Sequence, residues 1–332
     1  MQLTPNSANK HGLVLGKFMP PHEGHRYLIE FAHSFCPDLT VVVGSLESEP
    51  IPGGLRVQWM RDLFPNVRLV HLTDENPQFP HQHPHFWEIW KASLERVVEK
   101  PIDFLFASEE YGLKLAQTLD AQFIPACGLR EQVPISATEI RNDPVSHWEL
   151  IPRLVRPYFC KKVLLFGPES CGKTTLAGQL ADAFGGEVVP EYARTWLREP
   201  EPDFDLTDME LIARGQWAAE HALIQRGKPY LFCDTDPLTT ALWCQELFGE
   251  VPESVERLCH AGSYHLVLLL KPDLPWESGH LRLRPDTRER FFKRCREELE
   301  KRGRNYQVIE GKGEERSERA AELVRALRFG IP

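Results

Sequence analysis

The segment Gly167-Pro168-Glu169-Ser170-Cys171-Gly172-Lys173-Thr174 fits G-x-x-x-x-G-K-[ST] at every required position. The apolar run Lys162–Phe166 precedes it and a helical pattern starts at Lys173, which is the strand–loop–helix context the match needs. That context restricts the second half of the chain to an open α/β sheet with a phosphate cradle at a strand's carboxyl end. Backbone N–H groups of the loop surround the β-phosphate. Lys173 is placed for the β/γ-phosphates and Thr174 for Mg²⁺. The candidate ATP-binding residues here are Gly167, Glu169, Ser170, Cys171, Gly172, Lys173, Thr174 and Thr175.

A second phosphate-handling signature lies near the N-terminus, Gly16-Lys17-Phe18-Met19-Pro20-Pro21-His22-Glu23-Gly24-His25, with a downstream partner, Ile135-Ser136-Ala137-Thr138-Glu139-Ile140-Arg141. The run Gly12–Phe18 reads as a strand and a helix starts near Gly24, so His22 and His25 fall at a helix N-terminus, where unpaired N–H groups attract phosphate. Imidazoles there can donate hydrogen bonds as charge builds on an α-phosphorus and pyrophosphate leaves. Gly24 allows close backbone approach and Gly16 lets the ligand lie against the strand end, and Lys17 and Phe18 join them as ATP-binding candidates. Ser136 and Thr138 can cap the helix begun by Glu139, and Arg141 can offer a bidentate fork to the same phosphates. His22, His25 and Arg141 are the catalytic candidates, and no nucleophilic side chain is required. One signature suits attack at an α-phosphate, the other transfer of a γ-phosphate, so the chain is expected to run two successive steps on one small molecule.

At 332 residues the chain suits two domains of roughly 150 residues. Short apolar runs alternate with helical stretches such as His25–Phe35 and Trp87–Glu99, and then the alternation restarts after a proline-rich stretch, 142–161. The expected strands are Gly12–Phe18, Leu39–Gly44, Val67–Leu72, Ile102–Ala107 and Gln122–Ala126, then Lys162–Phe166, Glu187–Pro190, Tyr230–Cys233, His265–Leu270 and Tyr306–Ile309. This predicts an α/β protein of two doubly wound parallel sheets, residues 1–155 and 156–332, joined by a short stiff connector. The net charge of −9 disfavours nucleic-acid binding. Eight cysteines without a C-x-x-C pair suit reduced thiols in the cytoplasm. There is no apolar leader at the start, and the longest aliphatic run, Leu266–Leu270, cannot span a membrane. A homo-oligomer is neither required nor ruled out.

In the second half, Asp234-Thr235-Asp236 ends an apolar strand in the Walker-B position. Asp234 is assigned to Mg²⁺ with Thr174, and Asp236 to a substrate hydroxyl, a solvated loop role being the alternative for Asp236. The segment Glu191-Tyr192-Ala193-Arg194 follows another strand. Glu191 can accept the proton of a substrate hydroxyl and Arg194 can stabilise phosphoryl charge. Tyr192 or Trp196 can stack on a substrate ring, with core packing equally open. The stretch His280–Arg288 reads as a lid whose arginines Arg282, Arg284 and Arg288 reach over the phosphates, any one of them being equally a surface charge.

Taken together, the motifs resemble the nucleotidyltransferase superfamily in the first half and P-loop kinases in the second. In tandem they resemble the NadR-type bifunctional enzymes. Supporting segments are Gly16–His25, Ser108-Glu109-Glu110-Tyr111-Gly112, Ile135–Arg141, Val155–Phe159, Glu191–Arg194 and Asp234–Thr239. The resemblance implies a ribosylnicotinamide kinase that phosphorylates nicotinamide riboside with ATP, and a nicotinamide-mononucleotide adenylyltransferase that converts the product to NAD and pyrophosphate. It implies that Arg56, Trp59 and Trp87 lie in the segments that shape the nicotinamide-nucleotide pocket, with Trp87 or Trp90 able to stack on the pyridinium and plain helix packing equally open. It also implies that Glu310-Gly311-Lys312-Gly313 holds the adenine of the kinase. Some relatives carry an N-terminal helix-turn-helix repressor domain, whereas here about ten residues precede the first strand, so DNA-binding regulation is not expected. The loop with His81, His83 and His85 is read as a polar substrate loop, a metal site being the other possibility. Other vitamin-derived nucleosides as substrate, and a nucleotide sensor with little turnover, are the competing functions.

Overall fold

The computed structural model describes residues 10–109, 111–126, 135–197, 203–276 and 287–329. The chain divides into two compact units, the division falling between Val155 and Arg156.

In the first unit, strands β1 (His11–Gly16), β2 (Asp38–Gly44), β3 (Arg68–Leu72), β4 (Phe104–Ala107) and β5 (Gln122–Pro125) form a parallel sheet in the order β3-β2-β1-β4-β5. Val14 pairs with Val41 on one side and with Phe106 on the other. Near-continuous apolar strands are what a sheet covered on both faces requires, and alternate residues supply the two cores. Val14, Val41, Val43 and Phe106 pack with Leu28, Ile29, Val57 and Met60 from helices Glu23–Phe35 and Gly53–Leu63. Their neighbours Leu13, Val42 and Leu105 pack with Leu94, Val98, Leu115 and Ala116 from helices Phe86–Val98 and Tyr111–Thr118. Successive connections leave β1 first toward β2 and β3, then toward β4 and β5. The reversal opens a crevice at the carboxyl end of β1, where ligands bind in such sheets.

The second unit repeats the plan. Strands β6 (Lys161–Phe166), β7 (Glu187–Val189), β8 (Tyr230–Asp234), β9 (Leu266–Leu270) and β10 (Gln307–Ile309) run parallel in the order β10-β9-β6-β8-β7. Leu164, Phe166, Leu231, Cys233, Val267 and Leu269 form one core with helices Leu206–Ile224, Pro237–Leu247, Glu253–Ala261 and Arg288–Lys301. Helices Lys173–Phe184 and Gly313–Arg325 contact one another and the strands from the remaining side. Among the described residues no helix is long and apolar enough to cross a membrane.

One boundary differs from the sequence reading in a way that matters. β1 stops at Gly16 rather than Phe18, because Phe18 takes φ +48° and turns its buried ring back under the strand end. That reversal begins the turn into helix Glu23–Phe35.

Phe106 is fully buried, with the rings of Phe31 and Phe35 edge-on at 6.3 and 5.5 Å. Phe106→Ala should cost ~3–5 kcal/mol of unfolding free energy, read as a lower urea midpoint at unchanged slope.

Candidate active sites

The first site grows from the β1 turn. A Cβ on Gly16 would stand 2.8 Å from the Phe18 ring, and one on Gly24 would stand 3.0 Å from the His22 ring, so both positions need a bare backbone. His22 is the N-cap residue of helix Glu23–Phe35. Its imidazole stacks on that of His25 with centroids 3.7 Å apart, and the Phe18 ring meets His25 edge-on at 4.9 Å. The paired histidines therefore sit on the helix's first turn, beside its unsatisfied N–H groups.

The downstream segment joins them. Ile135 reaches within 3.9 Å of the Gly24 Cβ position. Ser136 caps helix Ala137–Asn142 through a reciprocal box: its hydroxyl accepts from Glu139 N–H at 3.2 Å, and its own N–H donates to the Glu139 carboxylate at 2.7 Å. Thr138 is not a cap. Its hydroxyl instead accepts from the Arg141 guanidinium at 3.0 Å, and Arg141 also donates to the carbonyl of Met19 inside the first motif. Burial lowers the Arg141 pKa, Glu49 opposing the shift and Arg56 adding to it. The structure thus brings His22, His25, Thr138 and Arg141 to one place.

Arg56 has a different part from the expected one. Its fully buried guanidinium pairs with Glu49 at 2.6 Å and donates to the carbonyls of Lys17 at 2.7 Å and Gly44 at 3.4 Å. The other Glu49 oxygen lies 2.7 Å from Lys17 Nζ. That guanidinium is spent on main-chain carbonyls at the ends of β1 and β2 and on a carboxylate, so bracing the chain there is its observed role. Burial favours a protonated Glu49, but Lys17, the Leu46 N–H and Arg56 outweigh it and hold the carboxylate below its ordinary value. Trp59 is buried on helix Gly53–Leu63. Trp87 packs in the sheet core, edge-on to Phe86 at 4.8 Å, so packing is its observed role. Trp90 donates to the carbonyl of Pro77 at 2.9 Å and reaches the carboxyl end of β2 at Gly44. In the histidine loop, His81 stacks on Phe79 and His83 accepts from the His85 N–H. Among the described residues no group of three metal-ligating side chains is assembled. Within the motif 108–112, Glu110 lies outside the described residues, while Tyr111 donates to the Leu15 carbonyl at 3.2 Å.

The second site is the turn between β6 and helix Lys173–Phe184. Gly167 takes φ +138°, and a Cβ there would strike the Leu270 carbonyl at 2.7 Å; Gly172 takes φ +83°. Ser170 also has positive φ. Lys173 curls over the loop and donates to the carbonyls of Gly167 at 3.1 Å and Pro168 at 2.7 Å. Burial alone would depress its pKa, yet Coulombic interaction with Cys171, then with the Glu191 and Asp234 carboxylates, raises it. Thr174 Oγ1 donates to Asp234 Oδ2 at 2.5 Å. Burial raises the Asp234 pKa against the pull of Lys173, and Asp234 Oδ1 is buried without a hydrogen-bond partner among the described residues. An orphaned carboxylate oxygen beside a threonine hydroxyl fits a hard divalent cation such as Mg²⁺. Glu191 pairs with Arg194 at 2.7 Å one turn on.

A cavity opens beside the loop. Gly167, Glu169, Ser170, Lys173, Glu191 and Arg194 line its polar end, and Leu197, Phe204, Met209, Ile212, Trp243 and Leu247 form an apolar wall. Trp243 is backed by Phe291, the rings stacked at 4.5 Å. Sequence reasoning missed that wall and its polar fringe, Gln216, Thr235, Thr239 and Thr240. The signal was present: Thr240, Trp243 and Leu247 recur at one-turn spacing on the helix after the Walker-B strand.

Four expected substrate contacts have other partners. Asp236 is buried, caps helix Pro237–Leu247 by accepting from the Thr239 N–H, and pairs with Arg304 at 2.9 Å; it is absent from the cavity wall. The Tyr192 ring packs on Gly215, where a Cβ would come within 2.0 Å, and Trp196 is partly exposed with its N–H on Asp208. Arg288 donates to the carbonyls of Ser170, Pro272 and Leu274, bracing the phosphate loop from behind. Arg282 and Arg284 lie outside the described residues. A brace that sequence reasoning overlooked is the buried Arg316, which donates to Cys171 and Gly311 carbonyls and to Asp273, tying the loop to the segment expected to hold adenine.

A family model described as an AAA domain matches residues 162–316. The trifunctional NAD biosynthesis/regulator protein NadR of Escherichia coli (strain K12) is 29% identical over 300 residues, covering 84% of this chain and 73% of that protein. The nicotinamide-nucleotide adenylyltransferase of Thermococcus onnurineus is 26% identical over 163 residues, 45% of this chain and 81% of its own length. Among solved structures, a NadR protein in complex with NR superposes with a TM-score of 0.75 at 20% identity over 96% of both chains, a likeness of fold.

The Glu49 pair yields a pH prediction. Its depressed pKa means its stabilisation is full above about pH 4.5 and is lost as pH falls through the folded value. Glu49→Gln should cost ~3 kcal/mol at neutral pH, because Arg56 is left buried and unpaired. The variant should also show a flatter acid limb than wild type in thermal unfolding from neutral pH downward.

Proposed function

We propose, proceeding from the homology of this chain to the NadR proteins, that it is a bifunctional NAD-salvage enzyme. Residues 156–332 would transfer the ATP γ-phosphate to the 5′-hydroxyl of nicotinamide riboside. Residues 1–155 would then join the mononucleotide to the AMP moiety of a second ATP, releasing pyrophosphate. The observation that carries this reading is the presence, in one chain, of a histidine pair on a helix N-terminus with Arg141 beside it, and of a loop whose Lys173 shares a cavity with Glu191 while Thr174 bonds to Asp234 at the end of β8.

In the kinase half, Glu191 lies at the cavity's polar end, suited to take the proton of the attacking hydroxyl, with Arg194 and Lys173 stabilising the transferred group. Thr174 and Asp234 would hold Mg²⁺, which when bound neutralises charge on the β- and γ-phosphates. Lys173 would exchange its loop carbonyls for phosphate oxygens. The apolar wall with Trp243 suits a flat aromatic ring carried by the riboside, and cation–π contact favours a pyridinium over a neutral base. In the other half, His22, His25 and Arg141 are arranged to receive the charge that develops as a phosphate oxygen of the mononucleotide attacks the α-phosphorus. The chain then supplies positioning and charge neutralisation rather than a covalent intermediate. A cytoplasmic setting, where ATP is abundant and buried thiols such as Cys171 and Cys233 stay reduced, suits both steps.

The test is a product analysis of the purified protein with Mg²⁺-ATP and either the riboside or the mononucleotide. Wild type should make NAD from both, with mononucleotide as an intermediate from the riboside. Lys173→Ala should lower riboside phosphorylation by about 10²-fold or more and spare NAD formation from mononucleotide, while His25→Ala should do the reverse. Loss of both activities in either folded variant would refute the two-site assignment.

A further inference from the structure

The helix Leu206–Ile224 directs one buried amide, Gln216, into the gap between the carboxyl ends of β7 and β8. Gln216 Oε1 accepts from the Tyr192 N–H at 2.7 Å, and Nε2 donates to the Thr235 carbonyl at 3.4 Å. The amide's orientation is forced, since a backbone N–H can only donate and a carbonyl only accept. Tyr192 follows Glu191 directly, and Thr235 follows Asp234. Gln216 thus spans the two turns that carry the kinase carboxylates.

Two further observations show that both turns need holding. Thr235 has φ +75°, a strained conformation for a β-branched residue, which persists only where its surroundings enforce it. Gly215 lets the helix approach so closely that a Cβ would lie 2.0 Å from the Tyr192 ring. The carboxylates themselves repel: Glu191 raises the Asp234 pKa, and both draw on Lys173. Nothing in that charge pattern fixes their separation, whereas a neutral amide bonded to both main chains does.

We propose that Gln216 is a positioning residue for phosphoryl transfer, setting the spacing between Glu191 and Asp234 without touching the reacting atoms. The proposal rests on the kinase reading above. Gln216 also lines the cavity, so a contact with substrate is the competing role, and kinetics separate the two.

Gln216→Met keeps the length and removes both hydrogen bonds. It should lower kcat for riboside phosphorylation about 10- to 100-fold, the scale of a small misplacement, while KM for the riboside stays within about threefold of wild type. Gln216→Glu is the second variant, and it carries the test if the first does not fold. As a carboxylate it keeps the acceptor for Tyr192 but loses the donor to Thr235; once protonated, its O–H restores that donor. Its kcat relative to wild type should therefore climb as pH is lowered from about 8 to about 6, the range in which a buried carboxyl takes up a proton. NAD formation from mononucleotide by the same preparations should match wild type. A raised KM with unchanged kcat, unchanged kinetics in both variants, or a Glu variant that tracks wild type across pH would each overturn the clamp. A wild-type protein that phosphorylates no riboside would instead overturn the kinase reading, and the clamp with it.

Discussion

Each half of this protein depends on how a parallel sheet ends. The central strands β1 and β6 are hydrogen-bonded on both sides and covered on both faces, so the chain leaving them must turn at once into a helix that packs back on the sheet. That turn aims unsatisfied helix N–H groups at the strands' carboxyl edge, where an anion is the natural partner. The same backbone constraint is met twice with different side chains. At β1 the turn runs through Phe18 with positive φ to a stacked histidine pair; at β6 it runs through Gly167, Ser170 and Gly172, all with positive φ, to a buried lysine.

Charge balance then decides what each turn can hold. Lys173 is buried and remains cationic because Asp234 and Glu191 face it, while burial pushes the Asp234 carboxyl the other way. In the first site the balance sits one layer back. Glu49 pairs with both the buried Arg56 and the half-exposed Lys17, while Arg141 is hydrogen-bonded to the Met19 carbonyl inside the histidine motif and to Thr138. Arginine appears as mortar elsewhere: Arg288 and Arg316 fasten the phosphate loop through its carbonyls, and Arg304 fastens Asp236. Such groups fix the geometry on which proximity and preorganised charge depend.

The amino-acid sequence by itself determined the two sheets, the strand-by-strand layout and the two turns that leave β1 and β6. Those follow from local signals that act over a few residues: apolar runs long enough for a buried strand, helical periodicity, and glycines where a Cβ would collide. Ser136 was legible as a cap for the same reason, but the helix starts at Ala137 and Glu139, expected to begin it, instead closes the capping box. Only the tertiary structure decided which polar side chains face a ligand and which are spent on the fold. Arg56, Asp236, Tyr192 and Arg288 have the chemistry of substrate contacts, yet each is engaged by a group distant in sequence: Asp236 by Arg304, Tyr192 by Gly215, Arg288 by Ser170, and Arg56 by the Lys17 carbonyl as well as the nearer Glu49. Conversely Trp243 and Gln216 gain their places only because helices Pro237–Leu247 and Leu206–Ile224 pack beside the β7 and β8 ends. A hydrogen bond or ring contact requires atoms within a few ångströms, and for residues far apart along the chain that proximity is created by packing, which no local pattern encodes.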